Sequence, residues 1–265
     1  MTDSSSVGLL ARRCPYYILR QCPVVGYVLW VQAKKWMKTI LEALDKGKMG
    51  RGAASKLAGK LQWGVSALFR RLGRAQLRPI YDQSHSPTSN MGSELRRSLL
   101  WWLKILEKSI AETRCWADNV KPPVHLFCDA AGHPAKLAAT LYTPEEGCLY
   151  TALCPTEQML QLFKRRGDNQ IMGLELLSIS LGLCTFEKQL RGRRVVIHSD
   201  NTGSEVALRK GTARSHDHAQ LVHHQWFQAA CKEMELHVVR VKTDDNIADL
   251  PSRSEHRHVV LWFSC

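Results

Sequence analysis

Two short apolar runs, each ending in an aspartate, constrain the fold of this chain more than any other feature of its sequence. Residues 195–199, Val-Val-Ile-His-Ser, lead into Asp200, and residues 124–128, Val-His-Leu-Phe-Cys, lead into Asp129. Each run has the length and apolar content of a buried β-strand. Because ligands of α/β sheets bind at the carboxyl ends of the strands, the two carboxylates are expected to share a site. For either aspartate alone, the alternative is that it caps the turn or helix that follows.

A third carboxylate, Glu175, stands alone in an apolar segment. Residues 171–186 have the pattern of a helix, and Glu175 is their only charged residue. A lone carboxylate on a mostly buried helix is costly unless a cation or hydrogen bonds compensate it. The alternative is a glutamate at the helix edge that points to solvent, but this helix offers few polar neighbours. We therefore expect Glu175 to belong to a functional site.

A fourth acid, Asp249, lies in the polar segment 246–253, and the four acids together indicate a metal site. Clustered carboxylates repel one another and raise each other's pKa unless a metal binds between them. Ligand sets made of oxygen alone suit Mg²⁺ or Mn²⁺. Two such ions, about 3.5–4 Å apart, can activate a water on one side and stabilise the leaving oxygen on the other. The reaction that fits is phosphodiester hydrolysis.

The order of the remaining elements predicts an α/β fold with a mixed sheet covered by helices. Alternating residues predict strands at 136–143 and 148–154, which a Glu-Glu-Gly turn joins into an antiparallel hairpin. A last strand is predicted at 236–241. Helical spacing predicts helices at 203–210 and 216–235.

The first part of the chain is basic and is predicted to be mainly helical. Residues 1–120 contain 20 Lys and Arg against 8 Asp and Glu, a net charge of +12, whereas residues 121–265 carry +1. A β-branched run predicts a strand at 24–31, and turn residues predict a long loop at 82–92. Helices are predicted at 34–44, 53–71 and 94–111. Basic residues outside the apolar stripe of the second of these helices, and just beyond its end, indicate a surface that tracks phosphates, with a merely solvated face as the alternative: Lys56, Lys60, Arg70, Arg71, Arg74 and Arg78.

The cysteines and the apolar runs bear on the compartment. The nine cysteines are scattered and include no Cys-x-x-Cys pair, and the N-terminus does not resemble a signal peptide. Free thiols of this kind favour a reducing compartment. The longest apolar run near the start, residues 22–31, is far shorter than the roughly 20 residues of a membrane span. We expect an intracellular protein, in the cytoplasm or the nucleus, without a membrane partner.

Four short motifs resemble the ribonuclease H domain of retroelement reverse transcriptases, over about residues 122–254. They are Asp-Ala-Ala-Gly at 129–132, Gly-Leu-Glu-Leu at 173–176, His-Ser-Asp-Asn at 198–201, and Asn-Ile-Ala-Asp followed by Ser-Arg within 246–253. The likeness is strongest to the tyrosine-recombinase and Ty3-like retrotransposon groups. Residues 58–63 and 73–81 are similar to the thumb and connection that precede ribonuclease H in those polyproteins.

The resemblance implies a ribonuclease H-like mixed five-stranded sheet flanked by helices and preceded by a mainly helical basic segment. It implies a truncated reverse-transcriptase-like protein that cuts the RNA strand of RNA–DNA hybrids with two Mg²⁺ or Mn²⁺ ions. Asp129, Glu175, Asp200 and Asp249 would be the catalytic metal ligands, and Asn201 would contact nucleic acid. The expected domains are a thumb- and connection-like segment at 1–81, a linker with an amphipathic helix at 82–121, and the ribonuclease H-like domain at 122–265.

Other functions fit parts of the sequence. A non-catalytic nucleic-acid-binding remnant of a retroelement polyprotein would keep the fold and the basic half. An integrase or transposase on the same fold would normally end its acid set with Glu, whereas this chain ends with Asp249. Histidines at 216, 218, 223 and 224 lack cysteines at zinc-ligand spacing, so we expect them on the polar face of a helix rather than at a zinc site.

Overall fold

The computed structural model describes residues 23–65, 71–108, 121–161, 163, 167 and 170–253. The chain divides into two compact units, Met1–Thr113 and Arg114–Cys265. None of the described helices is both long enough and apolar enough to span a membrane.

The described part of the first unit is helical. It contains α1 (Pro23–Lys46), α2 (Arg51–Gly64), α3 (Arg74–His85) and α4 (Ser93–Lys108). Helix α2 packs on α3, and α4 packs on both α1 and α3. Side chains from all four helices are buried in this unit, among them Trp36, Leu57, Ile80 and Trp102.

The prediction of a strand at 24–31 is wrong, because these residues belong to α1. Pro23 takes the first helical position, where its fixed φ and missing N–H cost nothing. No turn separates the β-branched run from the helical pattern that begins at Lys34, so one continuous helix forms. Strand propensity is a weak local preference that such a context overrides.

Two boundaries in the first unit also differ from prediction. The loop expected from Asp82 begins only at Ser86, because α3 continues to His85 despite Pro79 in its interior. Helix α2 ends at Gly64, Arg71 lies in a turn, and residues 66–70 of the predicted helix fall outside the described residues. The end of the predicted helix at 109–111 falls outside them as well.

The second unit is built on a five-stranded mixed sheet. Its strands are β1 (Val124–Gly132), β2 (Ala135–Thr143), β3 (Gly147–Leu153), β4 (Arg194–Ser199) and β5 (Glu235–Arg240). The strand order is β3-β2-β1-β4-β5. The β1–β2 and β2–β3 pairs are antiparallel, whereas β1–β4 and β4–β5 are parallel. The expected mixed five-stranded sheet, with its hairpin, is confirmed.

Helices flank this sheet and join its parallel strands. They are α5 (Glu157–Leu160), α6 (Ile171–Thr185), α7 (Glu187–Leu190), α8 (Thr202–Lys210), α9 (His216–Cys231) and α10 (Asp249–Ser252), with a 3₁₀ turn at Thr243–Asp245. Helix α6 packs on β1 and β2 and against α9. Close packing of α6 depends on Gly182, where a Cβ would lie 2.9 Å from a Leu126 methyl carbon and 3.0 Å from the Ala139 Cβ.

Candidate metal centre

Three carboxylates from distant parts of the chain meet at one edge of the sheet. One oxygen of each of Asp129, Glu175 and Asp200 lies within 4.8 Å of the corresponding oxygens of the other two. Asp129 and Glu175 are buried, with 6% and 4% of their surface exposed, and Asp200 is half-buried. The convergence predicted for these three acids is therefore present in the fold.

The parallel pairing of β1 and β4 explains how the two aspartates meet. The last β1–β4 pair is Phe127 with His198. Asp129 and Asp200 each follow two residues later, so the same register carries both to one end of the sheet. The two rings of that last pair stack with centroids 4.2 Å apart, which ties the two strands together just before the acids.

Close packing at the start of α6 sets the position of Glu175. Gly173, two residues earlier, lies against the Phe163 ring, and a Cβ at Gly173 would be 2.8 Å from a ring carbon. The backbone N–H of Ala130 in β1 donates a hydrogen bond to the Glu175 carboxylate. The other oxygen, Oε2, is buried without a hydrogen-bond partner among the described residues. A buried carboxylate oxygen in this state calls for a ligand or a proton.

Burial and mutual repulsion change the acidity of two of the acids. The pKa of Glu175 is raised to about 9, first because burial penalises its charged form and then because the Asp129 and Asp200 charges repel it. The pKa of Asp129 is raised to about 6, again chiefly by burial. The Ser252 hydroxyl, which lies beside Asp129, and the positive charge of Arg253 act in the opposite direction and lower the pKa of Asp129. Without a compensating cation, Glu175 therefore holds a proton at neutral pH.

This arrangement fits a hard divalent cation. The three side chains supply only oxygen, the ligand that Mg²⁺ and Mn²⁺ prefer. A cation between them would replace the Glu175 proton, satisfy Oε2 and cancel the repulsion that raises the pKa values. The donor set contains no sulfur or imidazole, so it does not favour zinc in a closed structural site.

Asp249 lies close to this cluster without joining it. The group of mutually close oxygens, within the described part of the chain, leaves Asp249 out. Its charge contributes to raising the pKa of both Asp129 and Glu175, so it is near them. Its Oδ1 forms an ion pair with Nη2 of Arg253 at 2.8 Å, one turn later in the chain. Three of the four predicted ligands are thus together, and the fourth is paired with an arginine at the side.

Sequence reasoning did not single out two side chains that hold the Asp249 segment in place. Asn246 is buried, and its Nδ2 donates a 3.0 Å hydrogen bond to the carbonyl oxygen of Cys128 in β1. Ser252 is also buried and has its hydroxyl beside Asp129. Both residues belong to the motif within 246–253 that resembles ribonuclease H domains, but only the fold shows what they contact.

The residues predicted to bind nucleic acid occupy varied positions. Lys56 and Lys60 are exposed on α2, and Trp63, also exposed, lies one turn beyond Lys60. Arg78 of α3 is exposed and lies 3.8 Å from Asp82. Arg71 and Arg74 are half-buried, and Arg70 falls outside the described residues.

Asn201 has a structural task in addition to any contact with nucleic acid. Its Oδ1 accepts a 3.0 Å hydrogen bond from the backbone N–H of Ser204 and so caps the N-terminus of α8. The cap fixes the turn that directly follows Asp200.

The prediction that the histidines lie on a polar helix face is wrong for two of them. His218 and His223 are buried in α9, whereas His224 is exposed. The His218 ring packs edge-on against Phe163, with centroids 6.0 Å apart. Apolar core residues occupy neighbouring positions in α9. The helix is therefore buried over a wider face than one apolar stripe would give.

Comparison with known proteins gives similarity in solved structures alone. No protein-family model matches the chain, and no curated protein matches it in sequence. The N-terminal RNase H domain of a Mycobacterium tuberculosis protein, solved as a fusion with maltose-binding protein, is similar over 53% of this chain and 97% of that chain, at 15% identity and a TM-score of 0.36.

Two structures of foamy viral protease-reverse transcriptase with double-stranded DNA, one of a form designated dRH, are similar over 77% of this chain. Their identities are 14% and 16%, and both TM-scores are 0.31. This chain spans only 34% and 41% of their length. Because these identities and TM-scores are low, a functional proposal has to rest on the strand order and the acid cluster of this chain.

Proposed function

We propose that this chain is a divalent-metal-dependent endonuclease of the ribonuclease H type. The observation that carries the proposal is the meeting of Asp129, Glu175 and Asp200, with oxygens within 4.8 Å of one another and with Glu175 Oε2 buried and unpartnered among the described residues. Holding three carboxylates this close in a buried position is unfavourable in the absence of a cation. Metal binding at the site would recover that cost.

Each acid has a role in this proposal. Asp129, Glu175 and Asp200 would hold the divalent cations, and Asp249 would complete the set on release from Arg253. A pair of such ions supplies an activated water and stabilisation of the leaving oxygen in phosphodiester hydrolysis. The raised pKa values of Asp129 and Glu175 require both side chains to lose their protons before they act as ligands. The Ala130 N–H holds one Glu175 oxygen, and the other, Oε2, would be available to bind a metal ion.

The proposed substrate is an RNA–DNA hybrid, cut in its RNA strand, and the proposed origin is a reverse-transcriptase-like retroelement protein. The resemblance of the four acid motifs supports this choice. The strongly basic first unit supports a polyanionic partner, with Lys56 and Lys60 exposed for phosphate contact. Arg71, Arg74 and Arg78 are further candidates in the same unit, and Asn201 is a candidate beside the acids.

A cleavage assay tests the proposal. Purified protein with Mg²⁺ should cut the RNA strand of a labelled hybrid, and removal of Mg²⁺ with EDTA should stop the cutting. Asp200→Asn should lower the rate by at least a hundredfold, because it removes a charged metal ligand. Asp245→Asn changes an exposed acid of the 3₁₀ turn and should keep the wild-type rate. Equal cleavage by wild type and Asp200→Asn would refute the site.

A second candidate is a nucleic-acid-binding protein without catalysis. The ion pair of Asp249 with Arg253 favours it, because one of the four expected ligands is already engaged. Under this alternative, the wild-type protein would bind hybrid with a salt-dependent affinity and would not cut it at any Mg²⁺ concentration.

A further inference from the structure

A buried amide, that of Asn246, helps to fasten the segment that carries Asp249 to β1. Asn246 has 3% of its surface exposed. Its Nδ2 donates to the Cys128 carbonyl oxygen at 3.0 Å, and Cys128 is the residue directly before Asp129. Its Oδ1 accepts from the backbone N–H of Ala248 at 3.3 Å. The side chain therefore joins β1 to the residue directly before Asp249.

The backbone of Asn246 adds a third bond to the same connection. Its carbonyl oxygen accepts a 2.9 Å hydrogen bond from the N–H of Asp249 itself. One residue thus contacts the neighbour of Asp129, the neighbour of Asp249 and the Asp249 backbone. Because the register of β1 fixes Cys128, these bonds fix the start of α10 relative to Asp129.

We propose that Asn246 is a positioning residue that sets Asp249 against Asp129, so that a cation bound by the cluster can also reach the Asp249 carboxylate. This inference rests on the proposed function of the acid cluster. The residue contacts neither substrate nor metal in this role. It acts through the two backbones that carry the acids, as residues behind metal ligands commonly do.

An amide has properties at this position that other side chains lack. It donates with one end and accepts with the other, which the Cys128 carbonyl and the Ala248 N–H both require. A serine is long enough to accept from a backbone N–H two residues later, but it is too short to span to β1. Asn246→Ser therefore removes the connection to Cys128 and keeps the local turn, whereas Asn246→Ala removes both.

A metal-binding measurement separates positioning from simple stabilisation. The full chain is titrated with Mn²⁺ alone, and free Mn²⁺ is followed by electron paramagnetic resonance. The variants are Asn246→Ser, Asn246→Ala and a control, Trp226→Phe. The control removes another buried donor of the same unit, the indole N–H that donates to the Leu208 carbonyl at 3.0 Å, away from the Asp249 segment. Thermal unfolding of each variant gives its loss of stability.

Both Asn246 variants should bind Mn²⁺ about tenfold more weakly than wild type, in line with the loss of a residue that supports metal ligands. Trp226→Phe should bind Mn²⁺ as tightly as wild type does, even if its unfolding temperature falls by as much as that of the Asn246 variants. Wild-type Mn²⁺ affinity in Asn246→Ser, or an equal loss in Trp226→Phe, would overturn the inference. If Asn246→Ala does not fold, Asn246→Ser alone decides. If Asp129→Asn binds Mn²⁺ as tightly as wild type, the proposed metal centre itself fails, and the inference fails with it.

Discussion

At the scale of single residues, Glu175 combines burial, an oxygen without a hydrogen-bond partner in the described part of the chain, and the largest pKa change in the acid cluster. Its sequence context, a lone acid in an apolar helix, was sufficient to predict its burial. The ion pair of Asp249 with Arg253 was not predictable in the same way. The ion pair depends on α10, a helix of four residues that the sequence pattern does not predict.

The protonation of Glu175 predicts how the metal-free protein responds to pH. Its pKa in the folded state, about 9, lies above the roughly 4.3 of an unfolded glutamate. Between these values the folded state binds more protons than the unfolded state, so stability falls as pH rises. Below pH 7 the lowered pKa values of His198 and His223, both caused chiefly by burial, act in the opposite direction. In EDTA, the unfolding temperature of the second unit should therefore decrease from pH 7 to pH 9.

Glu175→Gln should flatten this decrease, because a glutamine does not titrate. Scanning calorimetry at several pH values measures the difference between the two proteins. Asp245→Asn, an exposed acid outside the cluster, serves as the control and should follow the wild-type curve. A wild-type curve that rises over this range, or one that Glu175→Gln leaves unchanged, contradicts the account of Glu175.

At the scale of elements, close contacts at glycine decide how near α6 comes to the sheet. The sequence predicted α6 and β1 but not their separation, because a glycine in an apolar helix has no visible partner in the sequence. The sequence did not predict helix α3 either, because Pro79 and several polar residues interrupt its apolar helical pattern. The prediction of a strand at 24–31 was wrong because these residues have a high strand propensity but continue directly into the helical pattern that follows them.

Two helical glycines should respond to alanine with opposite signs. Gly182→Ala places a Cβ against Leu126 and Ala139, so it should destabilise the second unit by about 1–3 kcal/mol through overpacking. The Cβ of Gly59→Ala in α2 meets no heavy atom of the described residues within 4 Å, so this change should stabilise the first unit by about 0.5–1 kcal/mol through better helix propensity. Chemical denaturation measures both, and equal signs would contradict the packing described for α6.

At the scale of the whole molecule, charge and chemistry are divided between the two units. The basic excess belongs to residues 1–120, and the acid cluster belongs to the sheet of the second unit. Sequence composition was enough to predict this division. The fold class was also predictable, because the order of a hairpin and two helix-linked strands restricts the possible sheets to a few.

This division predicts the salt dependence of hybrid binding. If Lys56 and Lys60 each contact a phosphate, replacing either with Ala should lower the slope of log affinity against log salt by about one. Fluorescence anisotropy between 50 and 200 mM salt measures the slope with a catalytically inactive Asp200→Asn protein. Lys188→Ala, an exposed lysine of the second unit, is the matched control and should leave the slope unchanged. A slope that neither α2 lysine affects would remove this face of α2 from the binding surface.

The central claim is that Asp129, Glu175 and Asp200 share a divalent cation. An anomalous difference map from crystals grown with Mn²⁺ tests it most directly. The account predicts a peak within about 2.0–2.4 Å of an oxygen from each of the three carboxylates, with Glu175 Oε2 among them. Well-ordered acids with no peak between them, or a peak bound elsewhere while the three side chains point apart, would contradict it.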